Sequence, residues 1–233
     1  MKKGIDAPYA LFGMSFVTVL LFLQALRTGH TVLWIFTIIL FFSAITYFHT
    51  SYFGKYKIIK NAVQQLKIQN TDKILDLGTG HGIVLIEAAQ YLEFPGQATG
   101  IDIWRNGDQS NNSIEETKSN ISKLGYEKVA NVATANMLDL PFADNSFDIV
   151  TASLAIHNLK SKHERAAALK EATRVLKPNG QLLIIDFSHD REYQVTLTEA
   201  KQYNNVQLSK TGYNGWWGGP WMATIVITAQ KRK

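Results

Sequence analysis

The sequence predicts an α/β fold, a seven-stranded, mostly parallel sheet, preceded by a helical hairpin that crosses a membrane twice. Three observations carry this expectation. Residues 9–52 hold one Lys or Arg, Arg27, and no Asp or Glu, so the chain divides into two segments suited to different solvents. After residue 70, short runs rich in Ile, Val and Leu alternate with stretches of helical periodicity, the pattern of a parallel sheet with crossover helices. A glycine turn joins the first such strand to the first such helix.

Tyr9–Leu26 and Thr31–Phe48 are each 18 residues long without a formal charge. At 1.5 Å per residue each helix spans about 27 Å, close to the hydrocarbon thickness of a bilayer. Arg27-Thr28-Gly29-His30 suits a tight turn between antiparallel helices, so both ends of the hairpin share one side. Tyr9, Trp34, Tyr47 and Tyr52 fall near the expected interfaces, and Lys2, Lys3, Lys55, Lys57 and Lys60 flank the same face, which the positive-inside tendency makes cytoplasmic. Ser15, Thr18 and Gln24 make no polar stripe of the kind a buried hairpin of a soluble protein carries. A cleaved leader is disfavoured, because a second apolar run follows at once and no small-residue cleavage site ends the first. Residues 1–53 are therefore read as a two-pass anchor and residues 54–233 as a cytoplasmic domain.

Formal charge is +5, from 24 Lys and Arg against 19 Asp and Glu. The basic residues gather near the ends rather than in one run, which fits anionic lipid and argues against a nucleic-acid partner. The chain has no cysteine, which excludes disulfides and thiolate metal sites; no metal is expected.

Gly54–Gln69 reads as a connecting amphipathic helix. Strands are expected at Lys73–Leu77, Gln97–Ile103, Val129–Ala135, Phe147–Ala152, Gln181–Phe187, Val206–Lys210 and Trp221–Ala229, with helices near Ile83–Leu92, Ser113–Leu124, Lys162–Leu176 and Arg191–Gln202. Ser113 with Glu116 reads as a capping box, and Lys177-Pro178-Asn179-Gly180 as the turn that closes the third of these helices.

Asp76-Leu77-Gly78-Thr79-Gly80-His81-Gly82 is the most informative stretch. A strand ends in a carboxylate and enters Gly-x-Gly-x-Gly, which lets the backbone turn and approach a ligand without Cβ interference. Dinucleotide sites need Gly-x-Gly-x-x-Gly, but the sixth position here is Ile83. Asp76 would repel a pyrophosphate, whereas it can accept hydrogen bonds from an ammonium group, so a zwitterionic ligand is expected. Asp102 ends the next strand, 24 residues after Gly78, where a carboxylate receives both ribose hydroxyls of a nucleoside cofactor.

Ile74 to Gly82 resembles motif I of class I S-adenosylmethionine-dependent methyltransferases, and Gly100 to Ile103 the acidic motif that follows it. The resemblance continues through Asn136–Phe142, Asp144–Val150 and Arg174–Gly180, similar to the adenine segment, fourth-strand motif and post-helix turn of the branch with ubiquinone and menaquinone C-methyltransferases. It covers about residues 54–230 and implies a Rossmann-like sheet with S-adenosylmethionine as cofactor. By position it implies that Asp76, Gly78, Gly80 and Gly82 face the methionine part, Asp102 the ribose, Asn136 and the Met137 backbone the adenine, and that Thr79, Ile103 and Ser153 also border the cofactor. The family commonly has Asp where this chain has Asn136, so an amide oxygen would meet the adenine amino group without charge assistance.

After the fourth strand comes Ser153-Leu154-Ala155-Ile156-His157-Asn158, a segment that in folds of this type lies beside the transferable methyl group. His157 is the candidate general base, with a structural histidine as the alternative. Asn158, His189, Trp216 and Trp217 are candidate substrate residues. The tryptophans suit an apolar pocket, a lipid interface or a plug against the sheet alike. Trp104 and the polar run 106–112 stand where a ring and a loop would cover a cofactor, or where a loop is simply solvated. The expected activity is methyl transfer to a small or lipid-soluble acceptor at a membrane. Transfer of another group from a related sulfonium cofactor, or a non-catalytic cofactor-sensing scaffold, are its rivals.

Overall fold

The computed structural model describes residues 5–105 and 112–233; Lys2, Lys3 and most of the polar run 106–112 lie outside the described residues. The hairpin comprises α1 (Pro8–Thr28) and α2 (Thr31–His49), joined at Gly29, whose φ of +69° lets its N–H reach back to the Ala25 carbonyl. Its packing is inverted relative to a soluble core. The buried seam consists of Thr18 and Ala25 on α1 and Thr37, Ser43 and Tyr47 on α2, while large apolar side chains such as Phe12, Phe16, Leu23, Phe36, Ile38 and Phe42 face outwards. Small residues let two helices approach closely without water between them. The hydroxyls of Thr18 and Thr37 are satisfied within their own helices, on the carbonyls of Met14 and Leu33. Both helices are thus long and apolar enough to cross a membrane.

The second helix does not end at the expected boundary. It passes through one π turn, Thr50–Gly54, directly into α3 (Lys55–Gln65), so a single helical rod runs from Thr31 to Gln65. Glycine at 54 is required by packing, because a Cβ there would collide with the Asn214 backbone. The rod is anchored at its far end: Ile58, Ile59, Ala62 and Val63 are buried against α4 (Ile83–Ala89) and its surroundings. Each fully buried aliphatic side chain contributes roughly 1.5–3 kcal/mol, so the junction is a packed joint rather than a tether.

The sheet has seven strands in the order β3-β2-β1-β4-β5-β7-β6. These are β1 (Lys73–Leu77), β2 (Gln97–Asp102), β3 (Ala130–Thr134), β4 (Phe147–Ser153), β5 (Leu176–Phe187), β6 (Tyr203–Lys210) and β7 (Thr224–Lys231). All pair in parallel except β7, which is antiparallel to both neighbours. Helices α3 and α4 cover part of one core; α6 (Lys162–Val175) and α7 (Asp190–Glu199) cover the other. Strand order reverses between β1 and β4, which leaves a crevice beyond their carboxyl ends, the usual ligand position in such sheets.

The differences from the expected elements have local causes. β5 starts at Leu176, opposite Phe147, so the Lys177–Gly180 turn is absorbed into the strand at a register shift. β7 starts at Thr224 rather than Trp221, because Trp216 pairs with Ala223 and the intervening residues form a separate small loop. Ser113 does cap α5 (Ile114–Lys123), accepting from the Glu116 N–H at 3.2 Å, but the reciprocal capping box is at Ser161 and Glu164, where α6 begins.

Candidate active site

A cavity of about 460 Å³ occupies the crevice, within the usual range for small-molecule sites. It brings together nearly all the expected cofactor residues: Asp76, Gly78, Thr79 and Gly80 from the first loop, Asp102 and Ile103 from the end of β2, Asn136 and Met137 after β3, and Ser153 at the end of β4. Gly82 is the exception. At φ +82° it starts α4 and packs toward Thr117, so it shapes the loop without lining the cavity.

The loop is built around close approach. Gly78 (φ +67°) lies where a Cβ would collide with the Ala155 side chain. Gly80 donates its N–H to Asp102 Oδ2 at 2.9 Å, and Asp102 Oδ1 accepts from the Trp104 N–H at 2.7 Å. The carboxylate is thereby aimed by backbone donors before any ligand arrives. Thr79 Oγ1 is buried beside Asp76, whose carboxyl it helps to lower, and makes no other hydrogen bond among the described residues, so it can also meet a polar ligand atom. The Trp104 indole donates to Thr134 Oγ1 at 2.8 Å and does not line the cavity, so its ring is committed to β3. Asn136 Oδ1 accepts from the Leu138 N–H at 3.0 Å in its own turn, which leaves one lone pair for an adenine amino group.

Asp76 is 2% exposed and accepts a 2.7 Å hydrogen bond from Thr151, which stands opposite it on β4. Burial pushes its carboxyl up to about 6, and the nearby charge of Asp102 adds to the rise. No cation pairs with it among the described residues.

His157 lies in a short turn, Ile156–Asn158, after β4, and lines the cavity with Asn158. Its Nδ1 is 2.6 Å from Asp186 Oδ1, and its backbone N–H donates to Asp186 Oδ2 at 3.1 Å. Asp186, 1% exposed at the end of β5, also accepts from Tyr193 Oη at 3.1 Å. Burial, then the charge of Asp186, hold the Tyr193 hydroxyl well above its ordinary range, so it remains a donor. With Nδ1 donating to the carboxylate, Nε2 carries the lone pair, the arrangement a proton acceptor needs. His189 does not reach the cavity: at φ +56° it caps α7 and faces Glu192 at 3.5 Å.

Trp217 lines the cavity and is also a plug, 5% exposed, with its ring 5.4 Å from Tyr47 and its Nε1–H donating to Thr224 Oγ1 at 2.9 Å. Trp216 lies outside, where its carbonyl accepts from Thr50 Oγ1 at 2.8 Å. One further side of the cavity comes from the hairpin and the rod, Asp6, Ala7, Tyr47, Lys55 and Ile59, and another includes Lys160, Glu164 and Phe187. Lys55, expected as a lipid-facing flank charge, is 4% exposed with Nζ 2.6 Å from Asp6 Oδ2.

A family model described as a methyltransferase domain matches residues 68–231. The chain belongs to that family. It is 36% identical over 130 residues to the ubiquinone/menaquinone biosynthesis C-methyltransferase UbiE of Geotalea daltonii, covering 56% of this chain and 52% of that protein. It is 31% identical over 142 residues to a 2-phytyl-1,4-naphtoquinone methyltransferase of a Nostoc species, covering 60% and 58% respectively. The chain thus spans about half the length of the curated relatives it matches. In fold it is similar to an S-adenosylmethionine-dependent methyltransferase from Aquifex aeolicus, with a TM-score of 0.57, 19% identity, and coverage of 74% of this chain and 89% of that one.

S-adenosylmethionine is the cofactor of this methyltransferase family, and the residues present fit it. Gly78, Thr79 and Gly80 line the cavity beside Asp76, Asp102 is aimed from a strand end, and a ligand ammonium would complement buried Asp76. The last point predicts a pH dependence. The folded carboxyl of Asp76 titrates above its ordinary value, so its contribution to apo stability is present below that value and lost as pH rises through about 6. An ammonium binds the ionised form, so the sign reverses for the ligand. Cofactor affinity should fall by about tenfold per unit as pH drops below 6, with one proton released on binding there. Asp76→Asn should bind weakly and flatten this profile. Calorimetry from pH 5 to 8 in buffers of different ionisation enthalpy checks both; a wild-type affinity that does not vary with pH would sink the assignment.

Proposed function

We propose that this chain is a two-pass membrane methyltransferase that moves a methyl group from S-adenosylmethionine to a quinone-type, lipid-soluble acceptor. The observation that carries the reading is the shared cavity. Its floor is the cofactor loop and Asp102, one side is His157 on Asp186, and a further side is the hairpin base. The names of the relatives, which act in ubiquinone, menaquinone and phytyl-naphthoquinone methylation, favour an acceptor of that class.

When bound, S-adenosylmethionine supplies a sulfonium methyl group to a nucleophile. The acceptor gains methyl and gives up a proton, which His157 Nε2 accepts while Asp186 holds the imidazole in the required tautomer. Ala155, Met137 and Trp217 narrow the cavity around the reacting atoms and exclude water. Substrate contact by Asn158 belongs to the same proposal.

Residues 1–53 serve as the anchor and residues 54–233 as the methyltransferase domain, both flanks of the hairpin lying on the cytoplasmic side with Lys57 and Lys60 exposed. The outward apolar faces and small-residue seam of α1 and α2 support a lipid environment. The full-length protein should therefore stay with membranes through a carbonate wash; its release would contradict the spanning hairpin. The cofactor half of the reading is checked by calorimetry, which should give binding of S-adenosylmethionine and S-adenosylhomocysteine. Tight NAD binding with neither of these would overturn it.

A further inference from the structure

The hairpin does more than lie near the cavity. Asp6 and Ala7, just before α1, and Tyr47, on the last turn of α2, line it, as does Lys55 on the first turn of α3. These residues are fixed to one another across long stretches of sequence. The Asp6 N–H donates to Ser51 Oγ at 2.7 Å, Ser51 Oγ donates to Asp6 Oδ2 at 2.9 Å, and Tyr47 Oη donates to the Asp6 carbonyl at 3.1 Å. The group is also locked to the domain by Thr50 on the Trp216 carbonyl and by His49 Nε2, 3.2 Å from Asn214 Oδ1.

A buried ammonium is costly to desolvate, and an anchor does not need one. Lys57 and Lys60, exposed on the same helix, already supply charge to a lipid surface. Lys55 is instead held by Asp6, with its ammonium also 5.3 Å from the centre of the Tyr56 ring, in the wall of a ligand cavity that Tyr47 and Trp217, packed edge to face, line as well. The π turn that separates the membrane part of the rod from α3 puts Lys55 on this wall, and such turns recur at functional sites. A positive, hydrogen-bonding group in a cavity that two aromatic side chains also line matches an aromatic ring with an acidic hydroxyl.

We propose that the hairpin base forms the acceptor subsite: the Lys55 ammonium, oriented by Asp6, takes the ionisable hydroxyl of an aromatic acceptor, and Tyr47 with Trp217 hold its ring. This inference rests on the methyltransferase reading above and assigns its acceptor to named residues. Lys55 contacts the acceptor here, and Asp6, which acts through it, is a positioning residue. The anchor is accordingly an integral part of the site, and another membrane segment cannot replace it without loss of acceptor binding.

The test uses the full chain in detergent micelles with 1,4-naphthohydroquinone, kept reduced, as the probe. Binding is read from tryptophan fluorescence without cofactor, and turnover from formation of S-adenosylhomocysteine. Lys55→Met should raise the probe's Kd and KM by about tenfold or more, the loss expected for one charge-assisted hydrogen bond, while kcat and the Kd for S-adenosylmethionine change little. Lys55→Arg should recover much of the loss, and Tyr47→Phe, which keeps the ring, should give a smaller rise in KM. An unchanged cofactor Kd in Lys55→Met also shows that the domain is folded. Equal probe affinity in wild type and Lys55→Met, or no binding to the wild type, would overturn the subsite. If the wild type binds the probe through Lys55 but never methylates it, the subsite stands and the assigned reaction fails.

Discussion

Replacing His157 with alanine should lower kcat by about 10²-fold or more and leave the Kd for S-adenosylmethionine nearly unchanged, because a positioned proton acceptor acts mainly in the transition state. The geometry behind this is the 2.6 Å contact from Nδ1 to Asp186, which leaves Nε2 as the unprotonated nitrogen of a side chain that lines the cavity. Asp186→Asn should also reduce kcat, because an amide can present the wrong hydrogen-bonding partner to Nδ1 and select the wrong tautomer. It should cost stability as well, since Asp186 also accepts from Tyr193 and from the backbone at His157 and Phe187. If His157 were only structural, His157→Ala would lower thermal stability and cofactor binding together, with a small rate effect that pH does not alter. The pH profile of kcat/KM for both proteins separates the outcomes. A wild-type profile with no inflection between about pH 5 and 8, the range in which an imidazole ordinarily titrates, would leave methyl transfer to positioning alone.

The second large effect is expected at Asp102. Asp102→Ala should raise the Kd for both S-adenosylmethionine and S-adenosylhomocysteine by about 10²-fold or more, since hydrogen bonds to a charged acceptor contribute about 1.5–3 kcal/mol each and the proposed role gives Asp102 two ribose hydroxyls to hold. Part of the loss will come through the loop, because the Gly80 and Trp104 N–H groups lose their acceptor. Asp102→Asn keeps one oxygen acceptor and should bind more tightly than Asp102→Ala. Calorimetry on the three proteins reads the series directly, and unchanged affinity in Asp102→Ala would remove the ribose role.

What the sequence made legible was whatever depends on short range. The period of the strands, the glycine spacing after β1 and the carboxylate ending β2 are local signals, and the structure brings Asp76, Gly78, Gly80 and Asp102 into one cavity as those signals imply. The uncharged runs marked α1 and α2 for the same reason. Pairings between distant segments were not legible. Asp186 looks like any strand-end acid until the fold sets it beside His157, 29 residues earlier. Lys55 joins Asp6 across 49 positions, and the only hint was that Asp6 is the sole acidic residue before Asp72. The continuous rod was hidden because the periodicity changes at residue 54 from wholly apolar to amphipathic, which reads as a boundary although no helix breaker other than Gly54 stands there. His189, a candidate substrate residue, sits instead with positive φ at the start of α7 and outside the cavity lining, a placement set by the backbone after β5 that its sequence position does not reveal.

The central claim, methyl transfer to a lipid-soluble quinone-type acceptor, is tested most directly with methyl-labelled S-adenosylmethionine and membranes carrying the full chain. A reduced 1,4-naphthoquinone with an isoprenoid tail is supplied in the bilayer. Label should move into the organic phase as a ring-methylated product, with one S-adenosylhomocysteine formed per methyl, and Asp102→Ala and His157→Ala should each suppress it. A protein that binds S-adenosylmethionine tightly in those membranes yet transfers no label to the quinol or to any extractable lipid would contradict the account.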